Sequence, residues 1–497
     1  MIVKKEFLKD KLEPFIYETL NGNEYEIIEN NPKDLLSWNR LIVAFNLYYL
    51  TYKDKHQELA KEVYKEMVRA TSLGKYIEPG QEDTKNSLDK FFKFFDNTFE
   101  SIKANGFDIN KTIIPLAKDG SILNGSHRVA CSLFLNKSVF CIKTDLNSLV
   151  DDWKNLYDRN IDLEILEIAV KEFIKWCDNC YIAFLWPSCK NHINKNRQFF
   201  KKVVYEKDIK LSSNGAYNLL IELYKHMDDW VGSPTNGYSG IKQKLIECFP
   251  ENHYNIKVVV FQEDSIDKVR DIKEKIRSIC NIGYSSIHIT DTKEEAIRIS
   301  ELIFNENGTH FLNFANPYKY YKYNKKNIKK IKDFFYKNEI DLNDIVIDSS
   351  MILSLYGLRK NADIDFLIFD NNKLQYNDEE LQYNDEELQY HDEEKIDLIY
   401  NPKFYFKYDG IKFISFKQLY KMKKNRAEEK DLNDCEMMQT LISDNYLNKL
   451  KARLKQNIFY FKIKIKSFIW NIVLSTLRKL GIYKIVRNIY RRVKGRQ

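Results

Sequence analysis

"LYGLRKNADIDFLIF" (355–369) sets two acids, Asp363 and Asp365, at the head of an otherwise apolar run. Read as a strand, the run alternates faces, so the two carboxylates share one face while Ile364 turns to the core. Like charges held that close repel unless a divalent cation neutralises them, and oxygen ligands at this spacing suit Mg2+. The plain alternative is a wet strand end. What surrounds the pair decides between the two readings.

Upstream, "IVIDSS" (345–350) is a short apolar strand ending in Ser349 and Ser350, with twelve residues between that pair and Asp363. Downstream, "KIDLIY" (395–400) reads as a second strand carrying a third acid, Asp397. Three carboxylates from adjacent strands are a ligand set for two metal ions in phosphoryl chemistry. A small-residue pair after a strand, a helix, Asp-x-Asp and a later lone Asp, in that order, resembles the nucleotidyltransferase superfamily. "KMKKNRAEEKDLNDCEMM" (421–438) is similar to the helical segment that follows the sheet in small members, with Arg426, Lys430 and Asp431 in matching places. The resemblance covers about residues 345–440. It implies Mg2+ on Asp363 and Asp365, Asp397 completing the site, and Ser349, Ser350, Arg426 and Lys430 on the nucleotide.

Between Asp365 and Asp397 lies a repeat: "LQYNDEE" at 374–380 and 381–387, then "LQYHDEE" at 388–394. One Leu per seven residues and a dense acidic cluster make a poor coiled-coil seam, so the repeat reads as an expanded, solvated surface loop.

A second motif is "DGSILNGSHRVA" (119–130). An Asp-Gly turn and a Gly-containing loop lead into an apolar helix, whose first N–H groups, with His127 and Arg128 as added cations, make an anion seat. The stretch resembles the ParB/sulfiredoxin-like fold, whose members bind nucleotides. Ser126 stands where sulfiredoxins place their catalytic Cys, which argues against that chemistry. The implied nucleotide-binding residues are Gly125, Ser126, His127 and Arg128.

The chain of 497 residues is long enough for two to four domains. Hydrophobic residues at 44%, with only 16 Gly and 9 Pro, describe a helix-rich α/β and α+β multidomain chain. "MIVKKEFLKD" at the start carries charge and no apolar core, so it does not read as a secretory signal. Eight scattered cysteines fit reduced thiols in the cytoplasm better than a disulfide framework. Cys177, Cys180, Cys189 and His192 have pairwise zinc-ligand spacing, but the apolar "YIAFLWPS" between them suits a core strand.

The net charge of +8 is uneven. Residues 445–497 carry fifteen Lys and Arg and no acid, and subtracting them leaves −7 for the rest. An acidic body disfavours nucleic acid as a partner. The tail interleaves cations with aromatic and aliphatic residues, and its longest uncharged run, Ser467 to Leu477, is too short to span a bilayer. It reads as an amphipathic helix on an anionic membrane surface.

The expected organisation is a helical lead with a ParB/sulfiredoxin-like domain (1–150), an α/β middle region (151–320), a nucleotidyltransferase-like mixed sheet (321–444) and the basic tail (445–497). In the middle region "IKVVVF", "SSIHIT" and "THFLNFA" read as strands alternating with helices, and so as a parallel or mixed layer. Thr292 and Glu295 form a capping-box start for the second of those helices. "WVGSPTNGYSG" (230–240) is Gly-rich but lacks a P-loop ending, and His288 and Asp291 sit at a strand end with no partner readable.

The functional expectation is an Mg2+-dependent nucleotidyl or phosphoryl transferase using a nucleoside triphosphate, ATP or CTP. Its acceptor would be a small polyol, sugar or sugar-phosphate in bacterial surface-polysaccharide biosynthesis. The enzyme would be cytoplasmic and peripheral at the inner face of the membrane. The alternatives are a non-catalytic nucleotide- or DNA-binding regulator of ParB type, or a toxin–antitoxin-like nucleotidyltransferase that modifies a macromolecule.

Overall fold

The computed structural model describes residues 1–78, 85–348, 350–376, 378–442, 446–479 and 483. The chain divides into two compact units: residues 1–384 with 393–415, and residues 385–392 with 416–497.

The first unit is mixed α/β and holds three sheets. The N-terminal sheet comprises β1 (Ile2–Lys4), β2 (Glu24–Asn30), β3 (Ile114–Leu116) and β4 (Val139–Lys143), in the order β1-β2-β4-β3. Only β3 and β4 run parallel. The expected helical lead therefore also supplies two strands. β2 was hidden because Ile27 is its one deeply buried residue among three glutamates, which leaves little apolar periodicity. The helix Ile42–Tyr52 is buried continuously from Ile42 to Leu50. A helix apolar on all sides belongs inside, and it packs against the helices Gln57–Thr71, Ser126–Phe134 and Leu163–Trp176.

The middle sheet comprises β5 (Cys180–Leu185), β6 (Lys202–Lys210), β7 (Asn255–Gln262) and β8 (Ile287–Ile289). Its order is β8-β5-β7-β6, with every neighbouring pair antiparallel. The expectation of a parallel or mixed layer fails here. Helices separate all four strands, yet alternation alone does not fix direction: β7 slots between the parallel β5 and β6, so no parallel ladder forms. "THFLNFA" is not a strand but part of the helix Glu306–Phe314, because Asn305 Oδ1 accepts from the N–H groups of Asn307 and Gly308 and starts a helix there. Thr292 does cap the helix Lys293–Ile303, yet Glu295 turns to Asp291 N and His288 instead of closing the box.

Cys189 and Cys280 are joined in a disulfide, with Cα atoms 5.7 Å apart, while the other six cysteines are free and buried. The expectation of reduced thiols is corrected for that pair. Packing of the Pro187–His192 turn against the end of the helix Ile266–Cys280 brings together two cysteines far apart in sequence.

The third sheet comprises β9 (Ile345–Ile347), β10 (Ile364–Ile368), β11 (Leu381–Tyr383), β12 (Tyr405–Tyr408) and β13 (Ile411–Ile414), ordered β11-β10-β9-β13-β12. β10 is antiparallel to β9 and parallel to β11. The repeat is thus more than a solvated loop. Its second copy contributes β11, whose Leu381 is buried beside Ile364.

The second unit contains the helices Phe416–Arg426, Glu429–Ile442 and Tyr446–Lys479. The third copy of the repeat forms a short turn in this unit, where His391 is fully buried and meets Gln418 through ring and carbonyl. Among the described residues no helix is long and apolar enough to cross a membrane.

Candidate functional site

The four residues singled out around the Gly-containing loop come together. Gly125, Ser126, His127 and Arg128 line one cavity of about 650 Å3. Gly125 sits at φ 101°, and a Cβ there would come within 2.5 Å of Ile114 Cδ1, so only glycine makes this turn without strain. No side chain caps the helix Ser126–Phe134, so its first turn opens on the cavity with the positive end of the peptide dipoles.

Arg128 acts from behind the loop. Its guanidinium donates to Thr112 Oγ1, to Ile113 O at 3.4 Å and to Asn124 Oδ1 at 3.1 Å, tying the loop to the strand end. His127 is not the cation expected from sequence. Burial, and then Lys85 and Arg128, push its imidazole well below its ordinary value, so it is neutral. Its Nε2 lies 2.9 Å from Tyr64 Oη, and Tyr64 and Phe95 flank the ring.

Sequence reasoning missed the cations that complete this cavity, Lys11, Lys85 and Lys111. Lys85 pairs with Glu78 at 2.6 Å and lies 3.8 Å from the Phe94 ring centroid. Scattered lysines give no local signal, and only the fold gathers them. Asp10, Glu13, Glu78 and Asp108 also line the cavity, so its cationic side chains are matched by acids.

The Asp-x-Asp motif stands at the start of β10, the strand between β11 and β9. Asp363 is exposed just before β10, and Asp365 is half-buried within it. Strand β9, the turn at Ser350, the helix Met351–Leu355 and β10 follow in the expected order. Ser349 lies outside the described residues.

Asp397 departs from expectation. "KIDLIY" is a helix, Lys395–Tyr400, whose buried face is Leu398, Ile399 and Tyr400. Lys412 Nζ, buried in β13, donates to Ile399 O at 2.6 Å and fixes that helix. Asp397 Oδ1 meets His56 Nε2 at 2.8 Å. His56 Nδ1 accepts from Leu59 N, so the ring proton sits on Nε2 and is donated to the carboxylate. Among the described residues no three His, Cys, Asp or Glu side chains gather as a metal-holding group. Asp363, Asp365 and Asp397 do not form such a group, and Asp397 is engaged by His56.

Within the second unit, Arg426 is engaged by Asp431 in a two-pronged ion pair (2.7 and 2.8 Å) and by Glu387. Lys423 reaches Asp431 and Asp434, each at 3.0 Å, and both acids are fully buried. Lys430 is exposed and pairs with Glu428. Arg426 thus holds two helices together, which is a structural use of the residue.

Comparison of the chain with protein-family models, with curated proteins and with solved structures returns no match.

Proposed function

We propose that the chain is a nucleotide-dependent transferase that binds a nucleoside triphosphate over the helix Ser126–Phe134. The observation that carries this reading is the cavity that unites Gly125, Ser126, His127 and Arg128 with Lys11, Lys85 and Lys111. Because acids balance the cations there, a triphosphate would arrive as its Mg2+ complex, the metal entering with the substrate. The acceptor is a small hydroxyl compound, a polyol or sugar. Its oxygen bonds to phosphorus as the P–O bond to the leaving phosphate breaks, and helix N–H groups with Lys85 meet the charge on the phosphate oxygens. Neutral His127, hydrogen-bonded to Tyr64, would be the group that takes the hydroxyl proton.

A second reading places nucleotidyl transfer at Asp363 and Asp365, and the strand–turn–helix–strand order supports it. Thermal stabilisation of the full chain by ATP, CTP, GTP and UTP with Mg2+ separates the two. The primary reading expects stabilisation that is lost in Lys85→Ala and kept in Asp363→Asn/Asp365→Asn. The reverse pattern assigns the nucleotide to the second reading, and no stabilisation by any of the four overturns both.

An anionic membrane surface is the proposed partner of the helix Tyr446–Lys479. Leu447, Leu454, Phe461 and Phe468 recur on it every seven residues and are exposed, and its neighbouring charges are all basic. That placement suits peripheral work at the inner face, as surface-polysaccharide synthesis requires.

A further inference from the structure

The middle sheet ends at β8, and a cavity of about 760 Å3 opens there between the helices Ser239–Cys248 and Ile266–Cys280. It unites three features that sequence reading left unassigned: Trp230 and Gly240 of the Gly-rich loop, His288, and Asp291. Gly240 is required there, because a Cβ would collide with the backbone of Trp230, and the close approach presses that loop onto the cavity wall.

The charges inside it are unequal. Lys273 pairs with Asp291 at 2.5 Å, and Arg277 pairs with Glu274 at 2.5 Å while stacking 4.4 Å from the Tyr284 ring centroid. Lys244 is buried, and its Nζ donates only to neutral groups, Tyr284 O at 2.6 Å and Ser285 Oγ at 3.2 Å. Glu247 also lines the cavity and accepts from the same Ser285 Oγ at 2.6 Å, so Lys244 meets that carboxylate through the shared hydroxyl. Burial lowers its pKa more than Cys248 and Glu247 raise it, so the ammonium gains from an anion that enters.

The mouth is aromatic. Trp230 is 42% and Tyr284 75% exposed, although each belongs to a residue type that buries its ring, and Tyr224 stands edge-on to Trp230 at 5.2 Å. Flat apolar surfaces at the rim and one buried cation within call for a ligand with a planar ring at one end and a single anionic group at the other.

We infer that this cavity binds a ring-bearing organic anion the size of a nucleoside monophosphate, with its anionic group on Lys244 and its ring against Trp230 and Tyr284. The site is separate from the cavity over Gly125 and does not depend on the transferase reading.

Isothermal titration of the full chain with AMP, GMP, CMP and UMP, and with indole-3-acetate as the carboxylate counterpart, tests this. At least one probe is expected to bind. Its Kd should rise at least tenfold in Lys244→Met and in Trp230→Ala, and stay unchanged in Lys268→Ala, an exposed lysine of the helix Ile266–Cys280 outside both cavities. A nucleotide that binds identifies a phosphate ligand, and binding by indole-3-acetate alone identifies a carboxylate. The inference is overturned if no probe binds at millimolar concentration, if either cavity variant binds like wild type, or if Lys268→Ala weakens binding equally.

Discussion

His56 and Asp397, 341 positions apart, are joined by a 2.8 Å hydrogen bond from Nε2 to Oδ1. The imidazole also caps the helix Gln57–Thr71 by accepting from Leu59 N. Asp397 therefore ties the third sheet's flank to the N-terminal helices. Asp397→Ala should lower unfolding free energy by about 2 kcal/mol, as expected for a bond to a charged group, while Asp397→Asn keeps an acceptor and loses less. Urea unfolding of both variants measures this. Equal losses would remove the bond's role.

Gly125 holds a conformation that other residues reach only with strain. Gly125→Ala should cost about 1–2 kcal/mol from the left-handed backbone alone, plus displacement of Ile114. The variant should also lose nucleotide stabilisation, read in the same melting experiment. A variant that melts normally and still responds to nucleotide would dissociate the turn from binding.

In the second unit, Asp431 carries Arg426 and Lys423 at once. Asp431→Asn leaves buried cations short of a partner and should destabilise by about 3 kcal/mol, in the range for breaking a buried pair. Lys430→Ala, at an exposed position, should change stability by less than about 0.5 kcal/mol. Tryptic digestion time courses compare the two.

Acid should weaken the fold through two imidazoles. Burial pushes His310 down to about 4 and His127 well down, so both are harder to protonate folded than unfolded. Groups of this kind contribute stability that is present above the unfolded value, about 6.5, and lost as pH falls toward the folded value. For His310 the window runs from about 6.5 to about 4. The urea midpoint should fall across it, and His310→Gln should flatten the fall; an unchanged slope would contradict the assignment.

Vesicle sedimentation checks the basic helix. The full chain should bind vesicles containing phosphatidylserine and be released as salt rises, whereas a chain ending at residue 445 should not bind. Binding to neutral vesicles that is indifferent to salt would point to an apolar contact alone.

The local rules were readable wherever a short stretch carried its own structural reason. Thr292 before "KEEAIRISELI", Gly125 before "SHRVACSLF" and the apolar strand before Ser350 each announce an element from within a few residues. Where two structures satisfy the same local pattern, the reading failed. "KIDLIY" and "THFLNFA" are short apolar runs that suit either strand or helix; the distant Lys412 fixed the first as a helix, and the Asn305 cap, outside the apolar run, started the second. The repeat makes the point most directly. Leu381–Tyr383 is a strand beside β10, and the same three residue types at 388–390 form a turn in the other unit, where His391 replaces asparagine and is buried.

The sequence by itself determined the periodic helices, the turn that needs glycine at 125, the order of elements around Asp363 and the basic character of the tail, because each depends on neighbours a few positions away. Tertiary structure alone decided that Lys11, Lys85 and Lys111 share a cavity with His127, that Asp397 meets His56, and that Lys244 is buried against Tyr284 O and Ser285 Oγ in a second cavity. Those outcomes depend on contacts between residues tens to hundreds of positions apart, which chain closure and core packing fix and no local pattern encodes.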